Sequence, residues 1–293
     1  MIERFGLQVK THENKMRLED FLFDRFRTLS KLYLRNLVKS EKCEVNGRFE
    51  NRGFKLRSND FVEVELEPSR QNSMVPESIP LQIVYEDDDL IVVNKPVGML
   101  VHPSHRDKSG TVLNALSYYL NRDPACPHIR PGLIHRLDKE TSGLLVVAKN
   151  PRSHRKVATQ FEMKSVEKKY LALVEGKLTR AEGVVEAPIG RYLEQKFWAV
   201  KEDGRPAITK FKVLRQLDDA TLIELEPVTG RTNQLRIHCA EIGHPILGDV
   251  SRGGRPFSRL CLHSALISFR HPSTVSVVTF EMPADFGTAI SAN

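Results

Sequence analysis

A stretch dense in charged and hydroxyl side chains, Arg136-Leu137-Asp138-Lys139-Glu140-Thr141-Ser142-Gly143, lies between two apolar runs, Leu133-Ile134 and Leu144-Leu145-Val146-Val147. Apolar flanks of that kind are buried, so the polar residues between them sit on a loop with fixed ends, the usual way a scaffold presents reactive groups. Asp138 is the candidate centre. A carboxylate used as a nucleophile must stay ionised while partly desolvated, and burial alone raises its pKa, so it needs cations or several donors nearby. Arg136 and Arg236 are the candidates for that task. The competing reading is structural: Asp138 accepts backbone hydrogen bonds and Arg136 forms an ion pair. A glycosidase is a third reading, but it would need two carboxylates and water, and nothing marks Glu140, two residues on, as an acid partner.

The elements around this loop follow from patterning. Strands are predicted at Leu81 to Tyr85 and Leu90 to Asn94 around the acidic turn Glu86 to Asp89, and again at Leu144 to Ala148. A helix is predicted over Thr111 to Leu120. Strand patterns outnumber helices and no regular β-α-β alternation is present, so the expected architecture is α+β with a large mixed, mostly antiparallel sheet.

At 293 residues the chain is long enough for one large domain and a small one. Its four cysteines (Cys43, Cys126, Cys239 and Cys261) are scattered without a CxxC pair, so neither a disulfide framework nor structural zinc is expected. No apolar run reaches the roughly 18 to 20 residues of a membrane span, and the first residues lack the apolar stretch of a secretory signal. The expectation is a soluble, cytoplasmic monomer with no membrane partner, metal or cofactor.

Lys and Arg exceed Asp and Glu by 44 to 37, and the excess is clustered. Between Lys15 and Arg57 there are 12 basic and 6 acidic residues; between Lys149 and Lys169, 7 and 2. Two positive patches fit a polyanionic partner. In the first, Leu18, Phe21, Leu22 and Phe26 recur at helical spacing, and a second helix is predicted from an N-cap at Ser30. Along it Lys31, Arg35, Lys39 and Lys42 make a positive stripe, with Leu34, Leu37 and Val38 on another face. Solvated lysines on an ordinary amphipathic helix are the bland alternative. Glu44 to Arg48 then reads as a strand entering an Asn-Gly hairpin turn, and Asp60 to Leu66 as an alternating strand.

This N-terminal arrangement resembles the S-four-type (alpha-L) RNA-binding domain, over residues 16–67. Residues 1–15 read as an N-terminal extension and the Pro- and Ser-rich stretch 68–80 as a linker. The rest, residues 81–288, resembles the catalytic domain of the RluA-type pseudouridine synthases, with RluC- and RluD-like members that also carry the small domain. The string HRLDKETSGLLVVAK matches the HRLDxxTSG signature. Lys168-Lys169-Tyr170-Leu171-Ala172 follows, then Thr229-Gly230-Arg231-Thr232-Asn233-Gln234-Leu235-Arg236, then Gly243-His244-Pro245-Ile246-Leu247-Gly248-Asp249. Val92-Val93-Asn94-Lys95-Pro96 and Leu260-Cys261-Leu262-His263-Ser264 complete the likeness.

The resemblance implies an isomerase acting on structured RNA, ribosomal RNA first and transfer RNA as the alternative, without cofactor. It implies Asp138 as nucleophile, Arg236 as its ion-pair partner, Tyr170 against the target base, and Arg136 in the space beside a flipped-out nucleotide. Arg231 reads either as a phosphate contact or as a structural ion pair, and Lys31, Arg35 and Lys39 as a backbone-binding surface. Taken alone, Tyr170 would be a half-buried strand residue with a satisfied hydroxyl, and His135 and His238 read as satisfied core histidines. Where the family has histidine, this chain has Asn233, which cannot carry a proton as imidazolium; it is read as tuning an outer contact. A non-catalytic RNA-binding or ribosome-assembly protein on the same scaffold is the other class, and it would be marked by loss of Asp138.

Overall fold

The computed structural model describes residues 1–26, 29–68, 75–104, 107–123, 125, 129–192, 194 and 197–286. The chain divides into two units, Met1–Val75 and Pro76–Asn293. Among the described residues no helix is long and apolar enough to cross a membrane. Cys43, Cys239 and Cys261 are buried free thiols; Cys126, and residues 69–74 of the expected linker, lie outside the described residues.

The small unit runs β1 (Glu3–Gln8), α1 (Leu18–Arg25), α2 (Lys31–Lys39), β2 (Cys43–Val45), β3 (Arg48–Phe49) and β4 (Phe61–Leu66), with an antiparallel sheet in the order β1-β4-β2-β3. In β4 the odd-even alternation buries Val62, Val64 and Leu66 and leaves Glu63 and Glu65 half-buried. Those residues pack on Leu18, Phe21 and Leu22 of α1 and Leu34, Leu37 and Val38 of α2. Ser30 caps α2 as predicted, its Oγ accepting from Tyr33 N at 3.2 Å. Asn46 and Gly47 both have positive φ, 51° and 73°, as a two-residue hairpin turn requires.

Two expectations change here. Residues 1–15 are not an appendage: β1 pairs with the whole of β4, and Val9 is buried. The alternation of Phe5, Leu7 and Val9 was the available signal. Secondly, α2 ends at Lys39, and Lys42 lies beyond a left-handed Glu41 (φ 56°) and pairs with Glu65, so the helical stripe is Lys31, Arg35 and Lys39.

The large unit begins with residues the sequence assigned to the linker: the Glu77 carboxylate accepts from Gly110 N (3.0 Å) and Glu77 N donates to Asn114 O (3.1 Å). Its elements are β5 (Gln82–Glu86), β6 (Leu90–Lys95), α3 (Val112–Tyr119), β7 (Gly132–Leu133), β8 (Ser142–Ala148), α4 (Pro151–Glu162), β9 (Glu167–Glu175), β10 (Glu182–Glu186), β11 (Ile189–Tyr192), β12 (Phe197–Val200), β13 (Ile208–Gln216), β14 (Ala220–Pro227), α5 (Gln234–Glu241), β15 (Leu262–Arg270) and β16 (Val277–Glu281).

The main sheet has the order β10-β13-β14-β9-β15-β8-β6-β5, with β16 on β15 and β7 on β8; β11 and β12 form a separate hairpin. Among the described residues every pair in it is antiparallel except β8 with β15, so the sheet is mixed and mostly antiparallel, as expected. All seven residues of β8 are buried, which is why the sequence shows an unbroken apolar run there. Leu144, Val146 and Ala148 pack with Val157 of α4 and with Ile267 and Phe269 of β15. A second cluster joins Ala172 to Val174 of β9, Ile223 and Leu225 of β14, and Leu235 and Cys239 of α5.

Candidate active site

Register brings the loop and the tyrosine together. Ser264 of β15 stands opposite Gly143 on one side and Tyr170 of β9 on the other. Gly143 has φ 109°, and a Cβ built on it would lie 2.6 Å from Ser264 N and closer still to its carbonyl oxygen. Only glycine allows that approach. The Asp138 loop therefore ends one strand away from Tyr170.

The loop is held from below by Lys95, the last residue of β6. Its side chain is fully buried, and Nζ donates to the carbonyls of Pro96 (2.7 Å), Met99 (2.8 Å) and Lys139 (2.9 Å). Burial draws the ammonium down to about 8, against the nearby charges of Glu140 and Asp138. The Lys139 carbonyl also accepts from Gly98 N at 3.0 Å. At the loop's start His135 Nε2 accepts from Val146 N (3.0 Å), and its ring stacks on Phe161 of α4 with centroids 4.8 Å apart. Burial, then Lys168, pushes His135 down to about 3, so it is a neutral structural residue. His238 is likewise a satisfied core histidine, between the Thr209 hydroxyl (2.9 Å) and the Ala187 carbonyl (3.1 Å).

A second loop, residues 229–233, faces the first and is shaped by Gln234. Its Oε1 accepts from the Thr229 hydroxyl (2.7 Å) and Arg231 N (3.0 Å), while Nε2 donates to Ile208 O (2.9 Å) and Thr209 Oγ1 (3.0 Å). Asn233 then adopts the left-handed region (φ 55°), which asparagine tolerates far better than a β-branched side chain, and α5 starts.

The two loops enclose a cavity of about 450 Å³, lined among others by Asp138, Tyr170, Arg136, Arg231, Asn233 and Arg236. Five sequence-predicted residues thus converge in one place, and Asn233 joins them. Lys31, Arg35 and Lys39 belong to the small unit. There Arg35 is bound to Glu19 through two hydrogen bonds (2.8 and 3.3 Å), Lys31 sits 4.5 Å from the Phe23 ring centroid, and Lys39 is exposed. Of the second basic patch, Lys164 and Lys168 line the cavity. Lys156 donates to the Pro272 carbonyl, and Lys169 lies 3.4 Å from Glu224.

The expected Arg236–Asp138 ion pair is not what the structure shows. Arg236 clamps Asp249, Nε to Oδ2 at 2.7 Å and Nη2 to Oδ1 at 2.6 Å, and donates further to Ser251 Oγ and Asn233 Oδ1, both at 3.1 Å. Fork-on-fork geometry of this kind suits a buried carboxylate, and Asp249 is 2% exposed. Burial lowers the Arg236 pKa, but the bonds and charge of Asp249 outweigh it and the net shift is upward.

Asp138 is half-buried, and its carboxylate has no hydrogen bond or ion pair among the described residues. Burial raises its pKa; Arg236, Arg136, Lys95 and Arg252 pull the other way without cancelling it. Arg136 donates to the Thr232 hydroxyl (3.2 Å) across the two loops and Arg231 Nε to the Pro206 carbonyl (3.1 Å), and among the described residues neither forms an ion pair. Burial, eased by the Ser264 hydrogen bond and reinforced by Asp138, pushes the Tyr170 phenol up to about 12.

The sequence reading missed Asp249, Lys95 as a fastener, Gln234 and Arg252. Asp249, Lys95 and Gln234 lay inside matched motifs; Arg252 carried no signal apart from type.

The two loops thus bring a carboxylate and a phenol to one cavity that several guanidinium groups also line. The RNA pseudouridylate synthase family profile matches residues 89–241. The chain is 36% identical over 287 residues to a Bacillus subtilis (strain 168) protein named uncharacterized RNA pseudouridine synthase YlyB, covering 96% of this chain and 95% of that one. It is 35% identical over 296 residues to the ribosomal large subunit pseudouridine synthase D of Haemophilus ducreyi, covering 94% and 90%. Human RNA pseudouridylate synthase domain containing 1 superposes with a TM-score of 0.61 at 29% identity, covering 73% of this chain and 87% of that structure. The chain belongs to the RNA pseudouridylate synthase family. It is an isomerase that converts uridine in RNA to pseudouridine.

Proposed function

We propose that the enzyme acts on uridines of large-subunit ribosomal RNA, with Asp138 as nucleophile, Tyr170 against the uracil and Arg236 fixing the site's charge. The observation that carries this reading is the Asp138 carboxylate, unpartnered among the described residues, on the same cavity as Tyr170, Arg136, Arg231 and Arg236. The ribosomal target rests on the relatives named large subunit synthases, which this chain covers nearly end to end.

In the reaction the N1–C1′ bond breaks and a C5–C1′ bond forms; the C5 proton leaves and N1 gains one. The balance needs no external oxidant or reductant, and we read the enzyme as cofactor-free. A stacked uridine must first be extruded, at a cost of a few kcal/mol. Arg136, exposed and bridging the loops through Thr232, is placed to fill the vacated space, and Arg231 to meet a phosphate. Asp138 then acts on the sugar or the base with its charge supported by the surrounding cations. Tyr170, its phenol held protonated by burial in the free enzyme, packs beside the uracil and takes part in the proton removal that ends the reaction.

The small unit is read as an S-four-type docking module whose Lys31, Arg35 and Lys39 face the phosphate backbone, and the enzyme as a cytoplasmic monomer. The test is tritium release from transcripts carrying 5-tritiated uridine, together with pseudouridine mapping in a deletion strain. Release from ribosomal but not transfer RNA is expected. Release from transfer RNA alone would move the target, and no release from either would end the reading.

A further inference from the structure

Of the cations that line the catalytic cavity, Arg136, Arg231 and Arg236 each donate to a protein oxygen, and Lys164 is exposed to water. Lys168 has neither outlet. It is half-buried on the cavity wall, and among the described residues its ammonium has no hydrogen-bond acceptor and no carboxylate partner. The strand makes it so. Side chains alternate along β9, so Lys169 turns to Glu224 (3.4 Å) and Glu167 (3.8 Å), while Lys168 shares the cavity face with Tyr170, about 6.5 Å along the chain. The Lys168 Nζ lies 5.9 Å from the centroid of Phe161, a ring already stacked on His135.

We propose that Lys168 is a substrate-binding residue, its ammonium receiving a phosphodiester next to the uridine whose base lies against Tyr170. The inference deepens the proposed function and rests on its reading of the Asp138 cavity as the nucleotide pocket.

An ammonium has three donors and no acceptor, and withdrawing it from water without a partner is unfavourable. A methionine of similar length would fill the same space without that penalty. Burial lowers the Lys168 pKa, opposed in part by Glu226, whose carboxylate is itself bonded to Lys210 at 3.3 Å. Glu162, the other acidic group on the cavity wall besides Asp138, is exposed and makes no ion pair with Lys168. The group is satisfied when a ligand brings both oxygen and negative charge. In RNA that is the phosphate; uracil offers neutral oxygens only, and a charge-assisted bond is about twice as strong as a neutral one. Two positions on one strand face thereby meet the two halves of one nucleotide, Tyr170 its base and Lys168 its backbone.

The test follows turnover and binding separately, with RNA oligonucleotides spanning a target uridine mapped in the deletion strain. In the full chain, Lys168→Met should lower kcat/KM for tritium release about tenfold, mostly through KM, and reduce the slope of log kcat/KM against log salt by about 0.7. The charge is then removed from the RNA instead. Affinity is measured in Asp138→Asn with and without Lys168→Met, for oligonucleotides whose linkage 5′ or 3′ to the target uridine is an uncharged methylphosphonate; phosphodiester controls carry the same stabilising 2′-O-methyl group before that linkage. For one of the two linkages the advantage of lysine, about tenfold on the phosphodiester, should fall below about twofold. An advantage that persists on both neutral linkages, an unchanged salt slope, or a Lys168→Met variant equal to wild type overturns the proposal. Lys168→Gln, uncharged but polar, should lose the same salt slope and takes the place of a methionine variant that fails to fold. Tritium release by Asp138→Asn would end the nucleophile reading and leave the binding cycle standing, whereas an inactive Asp138→Asn with additive losses in that cycle defeats only the role of Lys168.

Discussion

Arg236 reaches for Asp249, not for Asp138: two bonds of 2.7 and 2.6 Å join it to a carboxylate that is 2% exposed. The arginine is thereby fixed in place, and the Asp138 carboxylate keeps both oxygens unbonded among the described residues. Breaking such a buried pair from one side leaves an uncompensated guanidinium. Asp249→Asn should cost about 3 kcal/mol, or roughly 6 to 12 °C in melting temperature, and depress turnover with it. Thermal unfolding of the variant at neutral pH is the check; a melting temperature equal to wild type would mean that the pair is not structural.

Asp138→Asn should reduce isomerisation by at least about a thousandfold while RNA binding persists. It should also melt at a higher temperature than wild type at neutral pH. The sign follows from the raised pKa: the fold disfavours the charged carboxylate, so wild type loses stability as pH climbs through the carboxyl's folded-state pKa, and asparagine mimics the neutral form. Below the ordinary carboxylate range the difference should close. Calorimetry of both proteins across pH measures it, and a gap that widens in acid would contradict the electrostatics described.

The Tyr170 phenol, pushed up to about 12, should show no ultraviolet ionisation step in the native enzyme where ordinary tyrosines titrate. Any alkaline decline in rate well below that value must come from another group. Tyr170→Phe should keep RNA affinity and lose about a hundredfold in kcat.

For the small unit, Lys31 and Lys39 are expected to matter more than Arg35, whose charge is held by Glu19. Replacing both lysines by alanine should reduce the slope of log affinity against log salt by about 1.5, and Arg35→Ala alone by less than about 0.5. Binding measured over a salt series decides between them; equal contributions would show that Glu19 releases Arg35 on binding.

Much of this was legible in the sequence, for local reasons. The Asp138 loop stood out because the apolar run after it had to be buried, as β8 is, although Leu133 and Ile134 before it are only half-buried; the Ser30 cap and the Asn46-Gly47 turn stood out because single residue types dictate them. Partner choice was not legible. That Arg236 takes Asp249, thirteen positions on, and that Lys95 fastens Lys139 are set by how β6, α5 and the 3-10 turn meet, and the composition of each segment is silent on that. β1 was overlooked because Phe5, Leu7 and Val9 alternate over too short a run to stand out from an extension. Asn233 was visible only as a departure; its left-handed backbone and its bond to Arg236 give it a place without a proton to move.

The backbone of Ser264 passes so close to Gly143 that no side chain fits between them, and Tyr170 lies on the far side of the same residue. The Gly143 end of the Asp138 loop is therefore tied to the Tyr170 strand through main chain, out of reach of substitutions along the rim.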